Sequence, residues 1–101
     1  MSVNACWQGR RFKTPAYKTF EKEMLSRMRK EKMPPKPYSV LLTFGFSNNA
    51  SDIDNPIKPT LDIIQKKFGI NDKDITELHV AKRLVGKGDE FIEYSIYHFS
   101  L

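Results

Sequence analysis

Two aspartates separated by a single residue are the clearest chemical feature of this sequence. In the segment Asp52-Ile53-Asp54-Asn55, an extended backbone would direct both carboxylates to one side and Ile53 to the other. Two carboxylates about 4 Å apart repel each other by several kcal/mol near a protein surface, so the pair favours a shared proton or a bound cation. Because magnesium takes oxygen ligands and often uses one or two carboxylates, Asp52 and Asp54 are predicted metal ligands.

Lys58 and Asp72 extend this candidate site. Lys58 follows Asp54 by one helical turn, so its ammonium group is expected to place positive charge beside a phosphate at the metal. Asp72 follows a predicted helix whose end brings the chain back along a sheet, which makes it a plausible third carboxylate. Each residue also has a simpler interpretation. Asp54 or Asn55 would then be a helix N-cap, Lys58 a surface ion-pair partner, and Asp72, like Asp74, a turn residue.

A helix and a strand are predicted ahead of the aspartates. Thr14 suits the N-cap of a helix, and Pro15 suits the first helical position. Apolar residues then recur at helical spacing to about Lys30. The proline-rich stretch 33–37 cannot continue the helix, because proline lacks an amide donor. Residues 38–46 alternate apolar side chains and are rich in β-branched and aromatic types, which predicts a strand.

A second helix and two further strands are predicted after the aspartates. Apolar residues at spacings of three and four predict an amphipathic helix over about 55–68, which Gly69 can end. Residues 75–84 and 91–99 predict two strands, joined by a turn whose glycines suit a hairpin. The predicted order is α-β-α-β-β in one domain over residues 1–101. We expect an α+β fold with both helices on one face of a small mixed sheet.

Positive charge is concentrated in the first half of the chain. Residues 1–51 hold ten Lys or Arg against three Glu, whereas residues 52–101 hold seven against nine acidic residues. Lys and Arg neutralise phosphates and release counterions, so the basic half predicts a polyanion such as DNA as partner. Arg10, Arg11 and Lys13 lie among aromatic residues that could stack on bases or pack in a core. A solvated basic helix face is the simpler alternative.

The rest of the composition indicates a cytoplasmic protein. No stretch approaches the roughly 20 apolar residues of a membrane span, and the first residues lack the apolar run of a signal peptide. Cys6 is the only cysteine, so an internal disulfide and a cysteine-rich zinc site are excluded, and the thiol is expected to be inert. His79 and His98 lie in predicted strands without a partner His or Cys, and we expect structural roles for both.

Together these residues resemble a known family, the RusA Holliday junction resolvases. The resemblance rests on Asp52-Ile53-Asp54-Asn55 with Lys58, Asp62 and Asn71-Asp72, and extends to Ser2-Val3-Asn4, Trp7-Gln8-Gly9-Arg10-Arg11-Phe12, Thr14-Pro15-Ala16-Tyr17, Ile75 and the final hairpin. It therefore covers nearly the whole chain. It implies a homodimeric enzyme, dependent on Mg²⁺ with Mn²⁺ as the alternative ion, that cuts four-way DNA junctions by paired incisions in recombination and repair. Such enzymes commonly occur in phages and prophages.

The resemblance also assigns roles to individual residues. It implies that Asp52, Asp54 and Asp72 bind the metal and, with Lys58, are catalytic. The expected DNA contacts are Asn4, Arg10, Arg11, Lys13 and Asn55. Family members usually place a strand before the Ser-x-Asn segment, so one sheet strand is expected to be missing here. Two alternatives stay open: a basic nucleic-acid-binding module without cleavage activity, and a less selective nuclease that acts on flaps, forks or RNA.

Overall fold

From the first helix onward, the chain folds into helices and strands in the order that the sequence predicts. A computed structural model of the protein describes residues 2–4, 14–48, 53–54 and 56–100, with side chains from residue 18 onward. The elements are β1 (Ser2–Asn4), α1 (Thr14–Arg27), β2 (Tyr38–Phe46), α2 (Ile57–Phe68), a 3-10 turn (Asp72–Asp74), β3 (Ile75–Leu84) and β4 (Phe91–His98). No helix among these described residues is long and apolar enough to cross a membrane.

The predicted mixed sheet is confirmed, with the strand order β1-β4-β2-β3. β2 pairs in parallel with β3, to which α2 connects it, and antiparallel with β4. The predicted hairpin of the last two strands is wrong, because β2 lies between β3 and β4 and pairs with both. The resemblance implies that a strand ahead of Ser2–Asn4 is missing, and no strand is predicted for these residues themselves. The structure makes them a three-residue edge strand that pairs antiparallel with β4. A segment of three residues is too short to show a periodic apolar pattern. It is a strand only because β4 supplies its hydrogen-bond partners.

Both helices cover the same face of this sheet, as predicted. Alternate residues of β2 and β4 point toward the helices and are buried, in keeping with the period of two along a strand. The core formed with α1 and α2 consists of Phe20, Met24, Met28, Tyr38, Val40, Leu42, Phe44, Phe46, Ile63, Ile64, Ile92 and Tyr94. The α+β class inferred from the apolar pattern therefore holds.

The helix ends differ slightly from the predicted ones. α1 ends at Arg27 rather than near Lys30, and the Leu25 carbonyl in its last turn accepts a hydrogen bond of 3.1 Å from Lys67 Nζ. A continued helix would have used that carbonyl for the amide four residues later, so α2 caps α1. Gly69 ends α2 as predicted, with a left-handed φ of 66° and its amide 2.9 Å from the Gln65 carbonyl oxygen.

The uncovered face of the sheet has one close packing contact that positions the end of β2. Gly45 lies opposite Phe91 of β4, and the Phe91 ring occupies the space where a side chain at position 45 would begin. Gly45 is therefore buried although it carries no side chain. Phe91 can cross the strand there because the neighbouring residue has no Cβ.

We expect Gly45→Ala to lower the free energy of unfolding by about 1–3 kcal/mol, because the added methyl group overlaps the Phe91 ring and forces the strand to shift. Urea unfolding measures the change. Gly86→Ala is the matched control, since its methyl group would meet only the movable Asp89 carboxylate, at 3.2 Å. Equal stability of the two variants would contradict this account of the contact.

Candidate functional site

The structure describes three of the four predicted catalytic residues: Asp54, Lys58 and Asp72. Outside the described residues lie the fourth, Asp52, and the expected DNA contacts Arg10, Arg11, Lys13 and Asn55. Asn4 is in β1, where its backbone pairs with Phe91 of β4. The described part of the site is therefore centred on α2 and the segments just before and after it.

Asp54 lies in the turn that leads into α2, with its side chain exposed. Ile53 and Asp54 form a turn rather than the extended segment inferred from sequence, so strand alternation does not set the direction of the Asp54 carboxylate. The N-cap of α2 is Pro56, without a side-chain cap, which shows that Asp54 is not the cap. The Asp54 carboxylate makes no hydrogen bond or ion pair with another described residue. It is thus an exposed anion near the positive end of a helix dipole.

Lys58 lies one turn into α2 and bonds to a carboxylate on the same helix. Its Nζ is 2.9 Å from Asp62 Oδ1, with the two side chains 76% and 41% exposed, so the pair adds little to stability. The hydrogen bond to Asp62, then the charge of Asp62 and that of Asp72, raise the pKa of Lys58. Lys58 is therefore a cation at neutral pH that can attract a phosphate, and it is unsuited to act as a general base.

Asp72 is drawn back toward α2 by a glutamine that sequence analysis does not single out. Gln65 Oε1 accepts a hydrogen bond of 3.0 Å from the Asp72 amide, and Gln65 Nε2 donates to the Leu61 carbonyl at 3.1 Å. The turn itself is capped by Asn71, whose side chain accepts from the Lys73 amide at 3.1 Å. The exposed Asp72 carboxylate is consequently not used as a cap, although the residue does lie in a turn.

Lys58, Asp62 and Gln65 follow one another at spacings of four and three, so they lie on one side of α2. Asp72 joins them through Gln65 and through its electrostatic effect on Lys58. Asp54, in contrast, precedes the helix. Within the described residues, no group of three His, Cys, Asp or Glu side chains could hold a metal ion. Gln65 links Asp72 to α2, the helix that carries Lys58.

The chemistry of the available donors nevertheless fits a hard divalent cation. Asp54 and Asp72 offer exposed carboxylate oxygens that have no partner among the described residues. Carboxylates are the protein ligands that magnesium prefers, with water and substrate phosphate completing its coordination. Lys58, four residues after Asp54, is paired with Asp62 and makes no ion pair with Asp54. The residues present are therefore compatible with magnesium and not with a soft metal that needs sulfur ligands.

A basic surface runs along α1 and the segment after it. Seven cations between residues 18 and 36 are all exposed: Lys18, Lys22, Arg27, Arg29, Lys30, Lys32 and Lys36. Of these, Arg27 is paired with Glu23 at 2.8 Å. Clustering of exposed cations on one helix and its extension creates a positive potential that attracts a polyanion. We refer to these seven residues as the basic surface.

Glu90 fixes the start of the loop that leads to Asp54. Its side chain is buried, at 2% exposure. Ser47 Oγ donates to Glu90 Oε2 at 2.6 Å, and the Gly88 amide donates to Glu90 Oε1 at 3.0 Å. The hydrogen bond from Ser47, followed by those from the backbone amides of Glu90 and Gly88, lowers the pKa of Glu90. One buried carboxylate therefore ties the end of β2 to the turn that connects β3 with β4.

Sequence reasoning missed both Glu90 and Gln65 as positioning residues. Glu90 stands among turn residues, where an acidic side chain is usually exposed, and its partner Ser47 is distant in sequence. Gln65 occupies an ordinary polar position of an amphipathic helix. The only local signal was the acidic residue directly before the apolar strand β4, and long-range hydrogen bonds leave no periodic pattern.

Comparison with known proteins adds no family assignment. No protein-family model matches the chain, and no curated protein matches it either. The resemblance to the RusA resolvases therefore rests on the residues quoted for it, and the function is argued from the residues of the site.

We expect Glu90→Gln to destabilise the protein by about 1–3 kcal/mol at neutral pH, because the amide gives up charge-assisted hydrogen bonds in a buried position. The folded-state pKa of Glu90 lies below its ordinary value, so this stabilisation is present above the ordinary carboxyl pKa and is lost as the pH falls. Urea unfolding between neutral and acidic pH should show the two proteins converging at low pH. Glu93→Gln, an exposed neighbour in β4, is the control, and a deficit that did not shrink in acid would contradict the assignment.

Proposed function

We propose that the protein is a magnesium-dependent, structure-selective DNA endonuclease that resolves four-way junctions by paired strand incisions. The observation that carries the proposal is on the exposed side of α2, where Lys58 is paired with Asp62 at 2.9 Å and Gln65 holds the backbone amide of Asp72. This arrangement combines a permanent cation with carboxylates that are not used for capping, and a phosphodiester cleavage site requires both types of group.

Asp52, Asp54 and Asp72 would hold the magnesium ion. Once bound, the ion would supply a more acidic water molecule and neutralise charge on the phosphate. Lys58 would attract the same phosphate and stabilise negative charge as it develops there. Asp62 holds the Lys58 ammonium group in place through the 2.9 Å contact. Gln65 holds Asp72 by accepting a hydrogen bond from the Asp72 backbone amide. Both are therefore positioning residues in this proposal.

The DNA would lie against the basic half of the chain. The basic surface supports this part of the proposal, because its seven exposed cations can neutralise phosphates without regard to base sequence. Asn4, Arg10, Arg11, Lys13 and Asn55 would make further contacts. Binding through phosphates suits an enzyme that selects a branched shape rather than a base sequence.

Two incisions in one junction need two sites, which a symmetric homodimer would provide. We therefore propose a homodimer, acting in recombination and repair in the cytoplasm of a bacterial or phage-infected cell. The alternative is a nucleic-acid-binding module without cleavage activity. The observation that favours it is the basic surface, whose seven exposed cations need no metal to attract a polyanion.

We expect replacement of Asp52, Asp54 or Asp72 by Asn to lower magnesium-dependent cleavage of a four-way junction by at least about 100-fold, because each change removes a metal ligand. DNA affinity should be unchanged or higher, since a negative charge near phosphate is lost. Labelled junctions, with linear duplex and single strands as controls, measure both quantities. Asp89→Asn, in the exposed β3–β4 turn, is the matched variant.

The possible outcomes separate the candidate functions. Full activity of Asp54→Asn would remove the central claim, and junction binding without cleavage under any metal would favour the binding module. Equal cleavage of flaps, forks or RNA would favour the less selective nuclease. Cleavage with Mg²⁺, and with Mn²⁺ as a substitute, that is lost in the variants would support the resolvase.

Neutralising Arg10, Arg11 and Lys13 together should weaken junction binding and flatten its dependence on salt. Each lost phosphate contact reduces the slope of log K against log salt by about 0.9 for duplex DNA. The control neutralises three exposed lysines of the second half, Lys66, Lys73 and Lys87. If both triple variants had the slope of the parent protein, the first three residues would not be phosphate contacts.

A further inference from the structure

The outer edge of β3 is open. In the order β1-β4-β2-β3, this strand pairs only with β2, so its other side presents backbone donors and acceptors without a strand partner among the described residues. β3 has ten residues, and neither proline nor glycine interrupts it. A long uninterrupted edge of this kind favours pairing with another strand.

Apolar side chains are exposed along the same edge. Leu78 is 39% and Leu84 63% exposed, among the most exposed large apolar residues of the described chain. Their register with Val40 and Phe46 of β2 places both on the face that the helices cover elsewhere. Because β3 lies at the edge, the helices leave these leucines exposed. A second sheet edge beside β3 would cover them.

The charges of β3 match those of a second, antiparallel copy of β3. Glu77 and Arg83 both lie on the uncovered face, in register with Ser39 and Gly45, and each is three residues from Val80. When two copies pair with Val80 opposite Val80, Glu77 of each copy lies opposite the partner subunit's Arg83. Directly opposed unlike charges stabilise a pair of strands.

No neighbouring register gives this match. A two-fold axis perpendicular to the sheet keeps the faces of both copies aligned, so the axis can move only from residue to residue along β3. Centred on His79, it would place Glu77 opposite Ala81. Centred on Ala81, it would place His79 opposite Arg83 and leave Glu77 opposite a valine beyond the strand.

The side chains are also placed for these contacts. Glu77 Oε1 accepts from Ser39 Oγ at 2.7 Å and lies 3.2 Å from His79 Nε2, which leaves Oε2 for a cation of the partner subunit. Arg83 is exposed and makes no ion pair with a described residue. On the opposite face, the Val80 register makes Leu78 a diagonal neighbour of the partner subunit's Leu84, a separation that leucine side chains can span.

We propose that two copies of this chain dimerise by antiparallel pairing of their β3 strands about a two-fold axis at Val80, with Glu77 of each subunit facing the partner subunit's Arg83. The dimer contains one continuous sheet with four strands from each subunit. This inference names the contact of the homodimer in the proposed function and rests on it to that extent. The contact itself uses neither the acids of the candidate site nor the basic surface.

Sedimentation velocity at micromolar protein, without DNA or divalent metal, tests the interface. The parent chain should be a dimer. Glu77→Arg and Arg83→Glu should each weaken dimerisation at least about tenfold, because both ion pairs become contacts between like charges. A mixture of the two variants should recover the dimer. In the mixed dimer, one contact again joins opposite charges, with their positions exchanged, and the other keeps the original pairing of Glu77 with Arg83.

The rescue by mixing separates contact between subunits from an effect within one chain, because neither variant carries the partner of its own new charge. Arg29→Glu, an exposed cation on the basic surface, has the same change of charge and should leave the dimer intact. Circular dichroism confirms that each variant is folded. A monomeric parent, single variants as dimeric as the parent, or a mixture that stays monomeric would each overturn the inference. Junction cleavage is measured separately, so loss of the nuclease proposal would leave this result unaffected.

Discussion

The parallel pairing of β2 with β3 is the constraint on which the candidate site depends. Two parallel neighbours cannot be joined by a tight turn, so the chain must return across the sheet, and α2 makes that return. A helix of twelve residues is about 18 Å long. Asp54 and Asp72 flank this helix and therefore start from opposite ends of the sheet. Within one subunit, a contact between them has to span the length of α2.

Gln65, about two helical turns after Lys58, holds Asp72 close to α2. Its side-chain oxygen accepts a hydrogen bond from the Asp72 amide. Magnesium lies about 2.0–2.1 Å from its ligands, so a common ion for the three acids requires the exposed turn of Asp54 to approach Asp72. Glu90 secures the beginning of that loop through the 2.6 Å hydrogen bond from Ser47.

Most of the fold was predictable because it follows from local periodicity. The strand Tyr38–Phe46 matches its predicted bounds, since alternation and β-branched residues are expressed within the segment itself, and Gly69 signalled the end of α2. The contacts that shape the site were not predictable. The Lys67 cap that ends α1, the buried Glu90 and the Gln65 contact with Asp72 join segments that are distant in sequence or depend on a single side chain. The predicted extended segment at Asp54 was wrong, because the chain already turns there toward α2.

Pairing of two β3 strands would give the dimer two sets of acids and would also bring acids of different subunits to the same end of the sheet. In an antiparallel pair, the start of one strand lies beside the end of the other. Asp72 comes just before the start of β3, whereas Asp54 lies on the loop that leaves β2 at Phe46, in register with the end of β3 at Leu84. Asp72 of one subunit would therefore lie at the same end of the continuous sheet as the Asp54 loop of the other. Two strand spacings, about 10 Å, separate β3 of one subunit from β2 of its partner, which is less than the length of α2. The proposed dimer would thus offer each Asp72 a shorter path to the partner's Asp54 loop than the path along its own helix.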